Sequence, residues 1–278
     1  NTGGWGMYLT ARQISALAQL LLQKGNWNGE QLVPAEWVEE MGRQRVVIPG
    51  DEKKALTHYA YHIKAGKEIF VAEGAFGQYL ICFRELPVAI GITSGAREYL
   101  AADICLKYIK EAVTVPCPAE KRAEGQKYLE AKLNSLSLPQ PEGRLRTSKK
   151  VTEKLFNREI VFTENPRKIE SAKITKEGYR LKLELVIDGE KKEIYAGYKN
   201  WKQNDLYPED FTKRYHCAAY AMDKEALYLS IGLINTSYRE EYCLWVNSED
   251  KVIGTWKPNV TYLPEEPDMV WKFTGTFK

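Results

Sequence analysis

Between Tyr179 and Ile187 the chain alternates. Tyr179, Leu181, Leu183, Leu185 and Ile187 fall on one side, and Arg180, Lys182 and Glu184 on the other. Successive side chains of an extended strand point to opposite faces, so the run predicts a strand with one dry face and one wet face. Such a strand needs neighbours. Similar runs at Ile160–Thr163, Ser171–Thr175, Lys192–Ala196, Tyr215–Met222, Leu227–Ile234, Glu241–Val246, Val252–Lys257 and Trp271–Phe277 bring the total to eight or nine short strands. Asp188-Gly189 and Asn247-Ser248-Glu249-Asp250 suit hairpin turns between them. An antiparallel barrel or a strongly curved sheet is the expected outcome, because it hides the edge strands.

The first 115 residues follow a different pattern. Thr10-Ala11-Arg12-Gln13 forms a capping box ahead of Ile14, Leu17, Ala18, Leu21 and Leu22, a helical stripe that Gly25 ends. After a turn at Asn28-Gly29, Pro34 opens a second helix with Trp37, Val38 and Met41 on one stripe. Strands are expected at Tyr59–Ala65, Gln78–Phe83 and Val88–Thr93, then a helix from Tyr99 to Ala112 with Leu100, Ile104, Lys107 and Tyr108 in register. Three strands are few for such a layer, which points to a further piece ahead of Asn1.

Pro116-Cys117-Pro118, a charged helical stretch over Glu120–Asn134 and a proline-rich break at Leu138–Gly143 separate the halves. The predicted organisation is an α+β sheet domain over 1–115, a linker with a helix over 116–150, and an all-β antiparallel, lipocalin-like barrel over 151–278. A length of 278 residues accommodates about two domains.

A formal charge of +3, with the basic residues scattered, argues against a nucleic-acid partner. No apolar run is long enough to span a bilayer and the first residues carry no signal pattern, so a soluble chain is expected. The compartment stays open, since the chain starts without methionine. Five widely spaced cysteines and three histidines suit free thiols rather than a zinc site, and no metal is expected.

Two segments of the first half resemble the class C β-lactamase-related, penicillin-binding-protein-like serine hydrolases. One is Gly3-Gly4-Trp5-Gly6-Met7-Tyr8-Leu9-Thr10-Ala11-Arg12-Gln13, followed by Leu20-Leu21-Leu22, Trp27-Asn28-Gly29 and Pro34-Ala35-Glu36-Trp37-Val38. The other is Glu73-Gly74-Ala75-Phe76-Gly77-Gln78-Tyr79 with Phe83–Pro87 and Val88–Ser94. Gln13 stands where the family commonly has an acidic residue.

The resemblance implies part of a β-lactamase/transpeptidase-like sheet with helices, in a parent acting on ester, amide or peptide bonds through an acyl-serine, without a cofactor. Ala72-Glu73-Gly74 would take the place of the family's third motif, whose lysine is missing. The backbone amide of Ala75 would then be the oxyanion donor, with Ala72, Glu73, Gly74, Phe76, Gln78, Trp5 and Tyr8 against the small-molecule or peptide substrate. The alternative for Gly74–Gln78 is a strand entry or bulge without chemistry, and for Trp5 and Tyr8 ordinary packing.

The family's Ser-x-x-Lys and Tyr-x-Asn motifs would lie ahead of Asn1. Ser248-Glu249-Asp250-Lys251 and Tyr198-Lys199-Asn200 match by letters only, in the wrong half and the wrong order. His58, His62 and His216 suit structural or exposed roles. Leu233–Glu241 and Trp256–Val260 resemble barrel extensions of clostridial-type bacterial serine hydrolases, and Trp201, Trp245, Trp256 and Trp271 suit core or barrel-mouth packing. The competing expectation is a ligand-binding or sensory module without turnover, which requires inward residues too small to fill the barrel. An apolar sheet edge is expected to favour a homodimer.

Overall fold

The alternating strands past residue 150 close on themselves in a computed structural model that describes residues 6–50, 54–97, 101–205, 215–261 and 270–278. Two compact units emerge, Asn1–Leu136 and Ser137–Lys278, divided within the stretch read as a linker.

In the first unit, Thr10 caps α1 (Ala11–Leu22) through the expected box with Gln13. Gly25, at φ +82°, ends α1 by donating its N–H to the Leu20 carbonyl. Asn28 and Gly29, both at positive φ, turn the small hairpin of β1 (Asn26–Trp27) and β2 (Glu30–Gln31). Pro34 precedes α2 (Ala35–Met41).

A six-stranded antiparallel sheet follows in chain order: β3 (Val46–Val47), β4 (His58–Tyr59), β5 (Lys64–Ala65), β6 (Ile69–Gly74), β7 (Gln78–Phe83) and β8 (Ala89–Ile92). The single strand expected over Tyr59–Ala65 is instead a tight hairpin with His62 at positive φ, and β6 is an additional strand.

Around β6 and β7 this sheet is dry on both faces. Phe70 and Cys82 pack with Ala18 and Leu21 of α1, while Ile69, Val71, Tyr79, Ile81 and Phe83 form a second cluster with α3 (Ala101–Thr114). The α3 face differs from the expected stripe. Ala102, Cys105, Leu106 and Ile109 meet the sheet, while Ile104 and Tyr108 are exposed. Both stripes have helical spacing, so periodicity alone could not choose between them. Tyr99 and Leu100, where this helix was expected to begin, lie outside the described residues. A further helix, α4 (Ala119–Ser135), covers the charged stretch and has no buried residue.

The second unit opens with a helix where strands were expected to begin. Ser148 accepts the Val151 N–H and starts α5 (Lys149–Leu155), whose Val151 and Leu155 enter the barrel core with Phe156. The strands are β9 (Glu159–Phe162), β10 (Ile169–Glu177), β11 (Arg180–Ile187), β12 (Glu190–Tyr198), β13 (Lys202–Asp205), β14 (Tyr215–Met222), β15 (Ala226–Leu233), β16 (Arg239–Val246), β17 (Val252–Pro258) and β18 (Trp271–Phe277).

Pairing runs β12-β11-β10-β9-β18-β17-β16-β15-β14, and a short parallel contact of Gly197 and Tyr198 with Ala219 and Tyr220 returns β14 to β12. The result is a closed nine-stranded barrel, with β13 attached to β14 at the seam. There the Asn204 amide does the work of a ladder rung. It accepts the Tyr195 N–H at 2.7 Å and donates to the Tyr195 carbonyl at 3.0 Å.

Candidate ligand cavity

Alternation decides which side chains enter the barrel. Leu181, Leu183, Leu185 and Ile187 of β11 point inward, and Ile194, Leu229, Tyr242, Leu244 and Phe273 meet them from other strands. A register shift between Ile169 and Ser171 inserts one residue, so Ile169 joins Ala172 and Ile174 on the inner side despite its odd spacing. Near α5 the interior is filled by Leu155, Tyr220, Met222, Leu227 and Val252.

Towards the other end the fill is incomplete, leaving a cavity of about 100 Å³. Ala172, Leu183, Leu185, Ile194, Leu229 and Phe273 form much of its wall. The small side chain of Ala172 contributes the least bulk of these, and the ring of Phe273 packs edge-on to Phe162 at 5.3 Å instead of filling the space.

Four polar side chains interrupt the apolar wall: Arg167, Lys192, Glu240 and Tyr242. Glu240 is only 8% exposed. One of its oxygens lies 2.8 Å from the Arg167 guanidinium, and the other accepts the Tyr242 hydroxyl at 2.7 Å. Burial, reinforced by the Glu240 charge, pushes the Tyr242 phenol well above its ordinary pKa, so it stays protonated and donating. Arg167 comes from the β9–β10 connection, with its guanidinium 5.5 Å over the Trp256 ring, and Trp256 stacks on Trp271 at 4.2 Å. Lys192, whose side chain is 14% exposed, reaches Glu190 at 2.5 Å. Among the described residues the wall contains no serine, cysteine or histidine. Its groups can bind and orient a guest but offer none of these nucleophiles.

Sequence reasoning missed Arg167, Lys192 and Glu240. The signal was one of phase: Glu240 shares the inward register of Tyr242 and Leu244, and Lys192 that of Ile194 and Ala196. A charged residue on the apolar phase of a strand must be paired or functional.

The residues expected to form a catalytic wall occupy a hairpin of the first unit. Ala72, Glu73 and Gly74 end β6, Gln78 starts β7, and Gly74 pairs with Gln78 across a three-residue loop. Ala75 therefore lies at a turn, one residue past the last rung. Phe76, at φ +62°, is buried, and its carbonyl accepts the Ala96 N–H. The Gln78 amide donates to the carbonyls of Ala75, Phe76 and Ser94, and its oxygen accepts the Ser94 N–H at 3.2 Å. Glu73 pairs with Lys64 at 3.0 Å. Tyr8 is exposed ahead of α1, and Trp5 lies outside the described residues.

The letter matches in the barrel have structural roles. Ser248 sits in the β16–β17 turn while Lys251 pairs with Glu249, and the Tyr198 hydroxyl donates to the Arg144 carbonyl at 3.0 Å. All five cysteines are free thiols. No helix among the described residues is long and apolar enough to cross a membrane.

An α+β chain carrying a closed β-barrel with an internal, mostly apolar cavity is the class that these features define. No family model and no curated protein matches the chain. Among solved structures, apo lipid binding protein 8 of Caenorhabditis elegans is similar at 6% identity and a TM-score of 0.36, covering 47% of this chain and 100% of that one. Secretory abundant heat soluble protein 4 of Ramazzottius varieornatus is similar at 11% identity and a TM-score of 0.34, covering 48% and 98%. The fatty-acid-binding protein of Manduca sexta follows at 10% identity and a TM-score of 0.30, covering 39% and 73%. Similarity this low leaves the cavity itself as the basis for a functional reading.

Proposed function

We propose that the barrel binds a small, predominantly apolar molecule in its cavity without chemical turnover. The observation carrying this reading is the unfilled, apolar-walled space of about 100 Å³ inside an otherwise packed core. A guest that fills it covers the apolar wall of Ala172, Leu183, Leu185, Ile194 and Leu229, which is favourable for any apolar molecule that fits.

Toluene is a suitable probe, because apolar-walled protein cavities accept single-ring hydrocarbons. Titration followed by methyl NMR is expected to shift Leu183, Leu185, Ile194 and Leu229 saturably while leaving Ile69 and Val71 of the first unit unmoved. Ala172→Phe, which puts a ring into the space, should abolish the shifts. Equal shifts in both units, or binding that survives Ala172→Phe, would rule the reading out.

A second reading concerns the first unit, as part of a serine hydrolase acting on ester, amide or peptide bonds. What favours it is the edge of β6. β5 pairs only with Phe70 and Val71, so among the described residues Ala72–Gly74 extend past it as a strand edge that could receive an acyl group. The parent gene tests this reading. Ser-x-x-Lys followed by Tyr-x-Asn or Tyr-x-Ser is expected ahead of Asn1, and a parent lacking both motifs ends it. The chain alone should take no label from a serine-directed phosphonate.

A further inference from the structure

We infer that Glu240 makes the barrel cavity selective for uncharged apolar guests and closes it to carboxylates, by occupying the place on Arg167 and Tyr242 that a guest carboxylate would take. The inference rests on the cavity being a binding site and concerns what that site accepts.

Charge pairing at the wall supplies the reason. Arg167 is held by Glu240 at 2.8 Å and Lys192 by Glu190 at 2.5 Å, so the two cations of the wall are matched by two carboxylates. The hydroxyl of Tyr242 is directed at Glu240 as well. A guanidinium and a phenol converging on one carboxylate make a good anion receptor, and here the protein's own side chain fills it. A guest carboxylate would have to share the site with the buried Glu240 carboxylate, a like charge that opposes it, or else displace Glu240 and leave that carboxylate buried without its partner.

A neutral guest meets neither obstacle. It needs only the apolar wall of Ala172, Leu183, Leu185, Ile194 and Leu229, and the cavity limits it to about the size of one ring or a short chain. The Glu240 side chain is 11% exposed, against 43% for the Arg167 side chain it pairs with. The carboxylate is therefore the fixed member of the pair and the guanidinium the one facing water.

Toluene and benzoate, matched in ring size and differing in charge, test this by calorimetry at neutral pH. Wild-type protein should bind toluene saturably and benzoate about tenfold more weakly or worse. Glu240→Gln should raise the ratio of benzoate to toluene affinity by about tenfold, since it removes the like charge that repels the guest while keeping the shape of the wall. Adding Arg167→Gln to Glu240→Gln should return the ratio to the wild-type value, which a general loosening of the barrel would not do.

An unchanged ratio in Glu240→Gln, with toluene still bound, overturns the role of Glu240 alone. Should that variant fail to fold, the wild type decides: benzoate binding as tight as toluene overturns the inference, and discrimination against it supports the inference. Absence of saturable toluene binding to the wild type removes the cavity reading and this inference together.

Discussion

Asp223 shows how much one side chain can organise at the blocked end of the barrel. Its carboxylate accepts the amides of Glu225 and Ala226, each at 2.7 Å, and the hydroxyl of Tyr228 at 2.7 Å. Burial alone would push this carboxyl up, but the hydrogen bonds from Tyr228 and the two amides outweigh it and hold the pKa below the ordinary aspartate value. A depressed folded pKa means that the stabilisation is fully present above the unfolded value and lost as pH falls through the folded one. Asp223→Asn should therefore lower stability by about 1–2 kcal/mol at neutral pH in urea unfolding, with the gap narrowing as pH falls below the unfolded aspartate value of about 3.9. A gap that is the same at both pH values would show that the carboxylate charge is not what matters. Cys82 is a different case at the same scale. Burial against α1 pushes its thiol up to about 12, so it serves as a small apolar filler whose Sγ donates to the Ala18 carbonyl.

Among the elements, the approach of α1 to β8 depends on Gly91. A Cβ there would lie 2.4 Å from the Ser15 amide nitrogen and 2.5 Å from the Ala11 carbonyl, so helix and strand could not stay as close as they are. Gly91→Ala is expected to cost about 1–3 kcal/mol in denaturant unfolding, whereas the same change at Gly125 of α4, where a Cβ meets nothing within 4 Å, should stabilise slightly. Equal effects at the two sites would mean that the contact is not what Gly91 protects.

Strand and helix limits were legible wherever a periodic run was bounded by a cap or turn residue. β14 and β18 begin and end where alternation and turn residues place them, and Thr10 and Gly25 mark the two ends of α1. The exposed side of α3 was not legible, because two apolar stripes compete and only the sheet beneath selects one. Nor was β13, where four polar residues become a strand by pairing with β14 at the barrel seam.

For the whole molecule, the two units have separate cores. The barrel cluster draws all its buried members from Val151 to Phe273, and both clusters of the first unit lie between Ala18 and Ala102. Limited proteolysis is expected to cut between about residues 115 and 142, where α4 is exposed throughout and prolines follow. It should release a barrel fragment that keeps its β circular dichroism and its toluene binding. A fragment that unfolds on release would show that the barrel core is not sufficient by itself.

Alternation and turn residues, read along the chain, determined that the second half would be a run of antiparallel strands and which side of most strands would be dry, because these properties depend on neighbours two residues apart. The free space inside the barrel, and the meeting of Arg167, Glu240 and Tyr242 at its wall, were decided only by closure. Volume left over after packing, and a pairing across 73 residues of chain between Arg167 and Glu240, arise from strand order and register, which no local run of residues specifies.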